Sequence, residues 1–401
     1  VGSSIAWLDN TVEEQRLARD LIALFSETES RDELGLGQIR DAFSDALFPG
    51  FSVVQTRARY YLFIPWCYTR GSAKGLSGAA AKAKGQRQER ALISALKTEN
   101  LDDDSGLIGK RAGAALRTLP STIYWSGMVR YGVVGNVADI GHLGLTRSRD
   151  DEPSELASRS PQEWAAGVPE PPQGFPGSVP SGFKLTAEEA GWLSERIEMS
   201  CPSTLLAHLV REGQVLPDAF ATPWDAAPAG QFSELDHARL FAVSMHGAAL
   251  LYNLLVAEEY EKAGFTTVSD PVAHYREALA AWADEEIAPL SADLTAWDTA
   301  EFWQLVIEQN PNISHRTRLF VNTWIGWVRS GRAQRVADDA GARAFVLERE
   351  RRKGKQSRFV NRKLLEAWSG NSGGGLFTYR WGTVRRILND INEAKDRDAS
   401  S

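Results

Sequence analysis

A chain of 401 residues, 43% of them apolar, has room for one large domain or two ordinary ones with proper cores. The formal net charge of -7 excludes a basic polyelectrolyte, so any nucleic acid must be held by local basic patches. Two cysteines, Cys67 and Cys201, with no CxxC pair, exclude a disulfide framework and a zinc ribbon and point to a reducing cytoplasm.

The opening VGSSIAWLDN lacks a basic region followed by an apolar core, so no signal peptide is expected. Thr11-Val12-Glu13-Glu14 is a capping box, and Leu17, Leu21, Leu24 and Phe25 recur at helical spacing; residues 11–26 are predicted to be an amphipathic helix. A polar turn over 26–33 carries Asp32 and Glu33. Gly35-Leu36-Gly37 opens the next helix, with Ile39, Phe43, Ala46 and Leu47 on one face, Asp41 and Asp45 on the other, and Pro49-Gly50 as the stop. Residues 55–66 read as a helix, with a strand as the alternative. Residues 70–98, with Lys74, Lys82, Lys84, Arg87, Arg90 and Lys97, read as a mobile basic loop running into a helix. A short helix over 108–119 carries Lys110, Arg111 and Arg117, and another over 121–131 carries Tyr124 and Trp125.

Residues 147–184 are rich in Pro, Ser and Gly without apolar period and form a long irregular connection packed in part by Trp164. The expected organisation is therefore a helical region at 1–146 with the acidic block, the connection at 147–184, and a second helical region at 185–401. Thr186-Ala187-Glu188-Glu189 is a second capping box. Helices are expected over 186–198, 202–213, 233–262, 269–285, 294–309, 313–330, 333–348, 359–368 and 377–394. The fold class is mainly α: many helices, long irregular loops and little or no sheet. The longest apolar run, residues 247–257, is broken by Tyr252 and Asn253 and is too short to span a bilayer, so no membrane partner is expected.

No P-loop, dinucleotide fingerprint, HExxH or GxSxG elbow occurs. The six histidines are too scattered for a zinc site, so no metal and no cofactor are expected. Carboxylate chemistry remains.

Asp32, Glu33, Asp41 and Asp45 are the candidate catalytic acids, with Asp32 and Asp41 ahead of Glu33 and Asp45. Cleaving an N-glycosidic bond needs a carboxylate that stabilises a developing oxocarbenium ion and handles water. Asp41 and Asp45 read equally as a solvated helix face, and Asp32 as an N-cap. Gly35 and Gly37 resemble, weakly, the turn by which helix-hairpin-helix modules grip a phosphate; a plain turn is the alternative. Gln55, Arg57 and Arg59, beside Tyr60 and Tyr61, suit phosphates and a stacked base, or an amphipathic element with ion pairs. His246, Tyr252 and Asn253 interrupt an apolar helix and must find partners or a ligand. Arg351, Arg352, Lys353, Lys355 and Arg358 lie in a late basic run that the acidic total hides. Asn361, Trp368, Tyr379, Arg380 and Trp381 read as a base-pocket surface or as a hairpin closing the core.

Taken together, RDELGLGQIRDAFSDALFPG, QTRARYYLFIPW, HGAALLYNL and YRW resemble the bacterial anti-phage family of bacteriophage replication inhibition DNA glycosylases, over nearly the whole chain. The resemblance implies a glycosylase-like helical architecture and excision of α-glucosyl-hydroxymethylcytosine from double-stranded phage DNA in the cytoplasm, leaving an abasic site, with no obligate protein partner. Such an enzyme flips its target nucleotide from the stack. On that reading Tyr60, Tyr61, Trp125 and Tyr379 stack on the base, and Tyr124 lines the base and sugar pocket. His246, Tyr252, Asn253, Asn361, Trp368, Arg380 and Trp381 serve the base and its sugar, and Lys110, Arg111 and the late basic run hold phosphates. No lysine lies near the acidic block to form a Schiff base, which implies a monofunctional enzyme. The alternatives are a metal-dependent DNase using Asp32, Glu33 and Asp41, a non-catalytic sensor of modified DNA, and a structural adaptor.

Overall fold

Glycine, proline and side-chain caps decide where the helices start and stop. The computed structural model describes residues 34–72, 78–98, 106–113, 116–134 and 164–399. The helix expected over 11–26, Asp32, Glu33 and residues 147–163 lie outside the described residues. Helix α1 (Gly37–Leu47) follows Gly35, whose φ of 65° makes the turn, and ends before Pro49 and Gly50. It is followed by α2 (Tyr60–Ser72), α3 (Gly78–Thr98) and α4 (Pro120–Arg130), the last with Pro120 at its first position.

After the irregular stretch come α5 (Ala187–Ser200) and α6 (Leu205–Glu212). Both bonds of the Thr186–Glu189 capping box are made. Thr204 caps α6, and the left-handed Gly213 ends it. The long α7 (Ser233–Lys262) matches its expected span. Then follow α8 (Pro271–Ala281), running into a π-helical turn at Trp282–Ile287, α9 (Ser291–Ala296), α10 (Thr299–Gln309), α11 (His315–Arg329), α12 (Ala340–Arg351), α13 (Arg362–Glu366) and α14 (Trp381–Ala399). Ser314, Asp339 and Asn361 cap α11, α12 and α13. No strand occurs among the described residues; one isolated bridge pairs Val134 with Trp164, whose ring lies 5.8 Å from Tyr68. The mainly α class expected from periodicity is what the chain adopts.

Several boundaries differ from expectation, each for a local reason. The helix expected from 55 starts only at Tyr60, because the amides of Thr56 and Arg57 donate to the Tyr124 hydroxyl and that of Ala58 to Asp390. Where a helix was expected over 108–119, the described residues 106–113 form turns: Gly106, Gly109 and Gly113 all have positive φ, which a helix interior disfavours. The 294–309 helix is two, because Trp297 turns extended with ψ of 118°. Arg329 then donates to the carbonyls of Leu294 and Trp297, which that break leaves open.

The described chain forms two compact units, each drawn from several segments, a different division from the chain-order regions expected from composition. One unit takes the described residues up to Gln38 with Arg239–Asp298 and Asn312–Phe377; the other takes Ile39–Ala238, Thr299–Pro311 and Thr378–Ser401. The first is built on the greater part of α7, where Phe241, Met245, Leu251, Tyr252 and Val256 are all buried. α7 is long and apolar enough to cross a membrane, and 94% of its most apolar window is buried within the protein, as in a core helix.

The second unit has an aromatic core. Tyr61 and Tyr124 meet edge to face at 5.0 Å, Tyr60 and Tyr124 at 5.3 Å, and Trp66 and Phe175 at 5.3 Å. The Pro49-Gly50 turn docks on α4 at Gly127, where any Cβ would overlap the Tyr61 hydroxyl and the Gly50 carbonyl.

Candidate functional site

The second unit contains the two described acids of the amino-terminal block. Asp41 is 51% exposed and paired with its chain neighbour Arg40 at 3.0 Å. One turn on, Asp45 is 30% exposed, and its Oδ1 accepts from Arg380 Nη1 at 2.7 Å. The same nitrogen donates to the Phe51 carbonyl at 2.7 Å. Arg380 reaches both from a strained turn: Tyr379 and Arg380 have φ of 53° and 67°, a region non-glycine residues rarely enter. The turn is held by the buried Tyr379 ring, whose hydroxyl donates to the Ala238 carbonyl at 2.6 Å, and by Trp381, whose indole N–H donates to Phe220 at 2.8 Å. The arrangement is a partly exposed carboxylate held by a guanidinium. It is suited to facing a cationic centre or orienting water.

Several other residues expected to meet DNA in this unit are used inside it. Arg57 grips Asp390 through Nε and Nη2, with Nη2 at 2.8 Å from Oδ1. Arg59 pairs with Glu189 at 2.8 Å, both buried, and donates to the Gly182 carbonyl at 2.7 Å. Gln55 donates to Gly50, and its Oε1 accepts from the Tyr61 hydroxyl. Tyr60, Tyr61 and Tyr124 are fully buried; Tyr60 accepts from the Ile108 amide, and Tyr124 donates to the Arg57 carbonyl at 2.9 Å. Burial pushes the Tyr124 hydroxyl up to about 12 and those of Tyr60 and Tyr61 further. These rings, with Tyr379 and Trp381, are core rather than a stacking face, which corrects the expectation that they receive a base. The physical reason is that aromatic residues at helical spacing bury more area against each other than any surface offers. Trp125 remains half-buried on α4, and Lys110 and Arg111 are exposed.

In the first unit His246 lies between two acceptors. Its Nδ1 is 2.9 Å from Glu286, on the π-helical turn, and its Nε2 is 3.2 Å from the Gly374 carbonyl. Asn253 clasps the same loop: its Nδ2 donates to Ser372 O at 2.9 Å and its Oδ1 accepts from Ser372 N at 2.9 Å. Tyr275 donates to Gly370 at 2.6 Å. The polar interruptions of α7 thus fasten the glycine-rich segment 370–375. Tyr252 is buried and accepts from Arg358 at 2.7 Å, and Trp368 is buried 5.4 Å from Tyr260, so neither faces a sugar. Asn361 is occupied as the cap of α13.

The late basic run divides. Lys353 pairs with the fully buried Glu350 at 2.6 Å, and Arg352 with Glu348 at 3.0 Å. Arg351 and Lys355 are exposed. The turn at Gly35 is bound from its carbonyl side by Arg349, which donates to Leu34 and Gly35. Gly37 starts α1. Among the described residues no group of three or more His, Cys, Asp or Glu is placed to hold a metal ion.

A model of one family, described as a family of unknown function (DUF6361), matches residues 2–395. The chain belongs to this family. No curated protein and no solved structure matches it significantly. In this DUF6361 chain the partners that sequence reading missed are Glu89, Glu189, Glu286 and Asp390, the acids that close the buried polar clusters. Only Glu189 carried a signal, as the last residue of a capping box; the others lie far in sequence from the groups they meet.

Proposed function

We propose that the chain is an anti-phage DNA glycosylase that hydrolyses the N-glycosidic bond of α-glucosyl-hydroxymethylcytosine in double-stranded DNA and leaves an abasic site. The sequence blocks that resemble the bacteriophage replication inhibition family support the reading. The observation that carries it is the Asp45 carboxylate, held by Arg380 on a strained turn, since backbone strain of this kind concentrates where geometry serves function.

As the C1′–N1 bond breaks, its electron pair leaves with the base, which takes up a proton, and the sugar becomes cationic. Asp45 faces that cation and accepts a proton as water adds to C1′. Asp41, Asp32 and Glu33 are secondary candidates. Phosphate contacts are assigned to Lys110 and Arg111, exposed in the unit that holds Asp45. A site that hydrogen-bonds the glucosyl hydroxyls leaves polar groups unpaired with ordinary cytosine, which protects host DNA.

Mass spectrometry of small molecules released from glucosylated phage DNA, in EDTA, tests the reading. Release of the modified base in chelator supports it, whereas strand cuts that vanish in chelator indicate a metal-dependent nuclease. A second reading, a non-catalytic sensor, is favoured by one observation: Arg380 already engages one Asp45 oxygen. It requires tight binding of glucosylated DNA with no base released on long incubation.

A further inference from the structure

Helix α3 is oriented by what it buries. Gly85 lies so close to the Tyr68 ring that a Cβ there would overlap it. Glu89, Leu92, Ile93 and Leu96 continue the buried stripe. Glu89 is 1% exposed and fully engaged: its Oε1 accepts from Tyr68 and from Ser121 Oγ, and its Oε2 from the Ser121 amide, each at 2.8 Å. With Glu89 inside, the helix presents Arg87, Arg90 and Lys97 away from the buried stripe and Lys82 exposed near its start, over about 22 Å of helix axis.

The turn at 106–113 extends this face. Lys97 Nζ lies 3.7 Å from where a Gly113 Cβ would be, and the turn carries the exposed Lys110 and Arg111. Among the described residues from 78 to 134, Glu89 is the only acid. Glu99 and Asp102 to Asp104, between Lys97 and Lys110 in the sequence, lie outside the described residues.

We infer that this face of α3 is a binding surface for the phosphate backbone of duplex DNA. The inference rests on the nucleic-acid reading above and adds the element that makes the main electrostatic contact. Charge complementarity carries it: four cations exposed or half-exposed along one helix can meet the phosphates of a duplex. The residues between the cations, Ala83, Gln86, Ala91 and Ser94, are small or polar. A helix lying in a lipid surface would instead bring large apolar side chains to that boundary.

The test is fluorescence anisotropy with unmodified duplex DNA across a salt series, comparing the native protein with Lys82→Gln/Arg87→Gln/Arg90→Gln/Lys97→Gln. The expected result is roughly tenfold or greater loss of affinity at low salt and a log–log salt slope reduced by roughly 3 to 4. A Lys82→Arg/Lys97→Arg variant keeps native affinity, and circular dichroism confirms that the quadruple variant folds. Unchanged affinity and slope, no DNA binding by the native protein, or a preference for anionic phospholipid vesicles would each overturn the inference. Base release by the native protein is scored separately. DNA binding lost with α3 but no base released sinks the glycosylase reading alone; base release with an indifferent α3 sinks this inference alone.

Discussion

Arg380 holds Asp45 from a backbone position that an arginine seldom occupies. Its Nη1 serves Asp45 and Phe51 at 2.7 Å each while φ is 67°, next to Tyr379 at 53°. Each such residue costs on the order of 1 kcal/mol or more, which the surrounding hydrogen bonds and buried rings offset. Lysine retains the charge but cannot present the same planar set of donors. Arg380→Lys is therefore expected to bind DNA as the native protein does and to release base at least about tenfold more slowly. An unchanged release rate would remove Arg380 from the site.

Asn253 closes the loop that His246 also touches. Truncating it strands the Ser372 amide and carbonyl in a buried place. Asn253→Ala is expected to lower stability by about 2–4 kcal/mol, seen as a lower urea midpoint. Hydrogen exchange at Ser372 should accelerate more than exchange at the amides of α14. Uniform acceleration would show that the clasp has no local role.

Burial lifts the Glu89 carboxyl above its ordinary value of 4.5, against the pull of its hydrogen bonds to Ser121 and Tyr68. The folded state thus holds this proton more tightly than the unfolded chain does. The contribution is present at acid pH and is lost as pH rises from about 4.5 through the raised folded value. Glu89→Gln cannot titrate. The stability of the native protein minus that of the variant should fall across this window and level off on either side. A pH-independent difference in melting temperature would contradict the assignment.

Gly127 is required by contact rather than by conformation. A methyl group there meets the Tyr61 hydroxyl and the Gly50 carbonyl. Gly127→Ala is expected to destabilise by about 1–3 kcal/mol, despite the better helix propensity of alanine. A rise in melting temperature would mean that the turn yields without cost.

Helices were legible where caps and period agree, as at Thr186–Glu189 and over 233–262, because both signals are local. The turns at 106–113 were missed because three glycines outweigh the apolar spacing around them. The late start of α14 was missed because nothing local in Tyr379-Arg380 announces a left-handed pair; its partners Ala238, Asp45 and Phe51 lie far away in sequence. The same distance hid the site. Arg57 and Arg59 looked free for phosphate, yet Asp390 and Glu189 take them from 333 and 130 residues away. Asp45 was visible as an acid on a helix face, but its distinction from Asp41 rests on an arginine at the other end of the chain.

The most direct measurement is the single-turnover rate of modified-base release from α-glucosylated hydroxymethylcytosine duplex, native protein against Asp45→Asn. The account predicts release by the native protein in chelator, and a variant that folds and binds the duplex normally but is slower by about 100-fold or more. Equal rates for the two proteins, or intact glycosidic bonds after prolonged incubation with the native one, would contradict it.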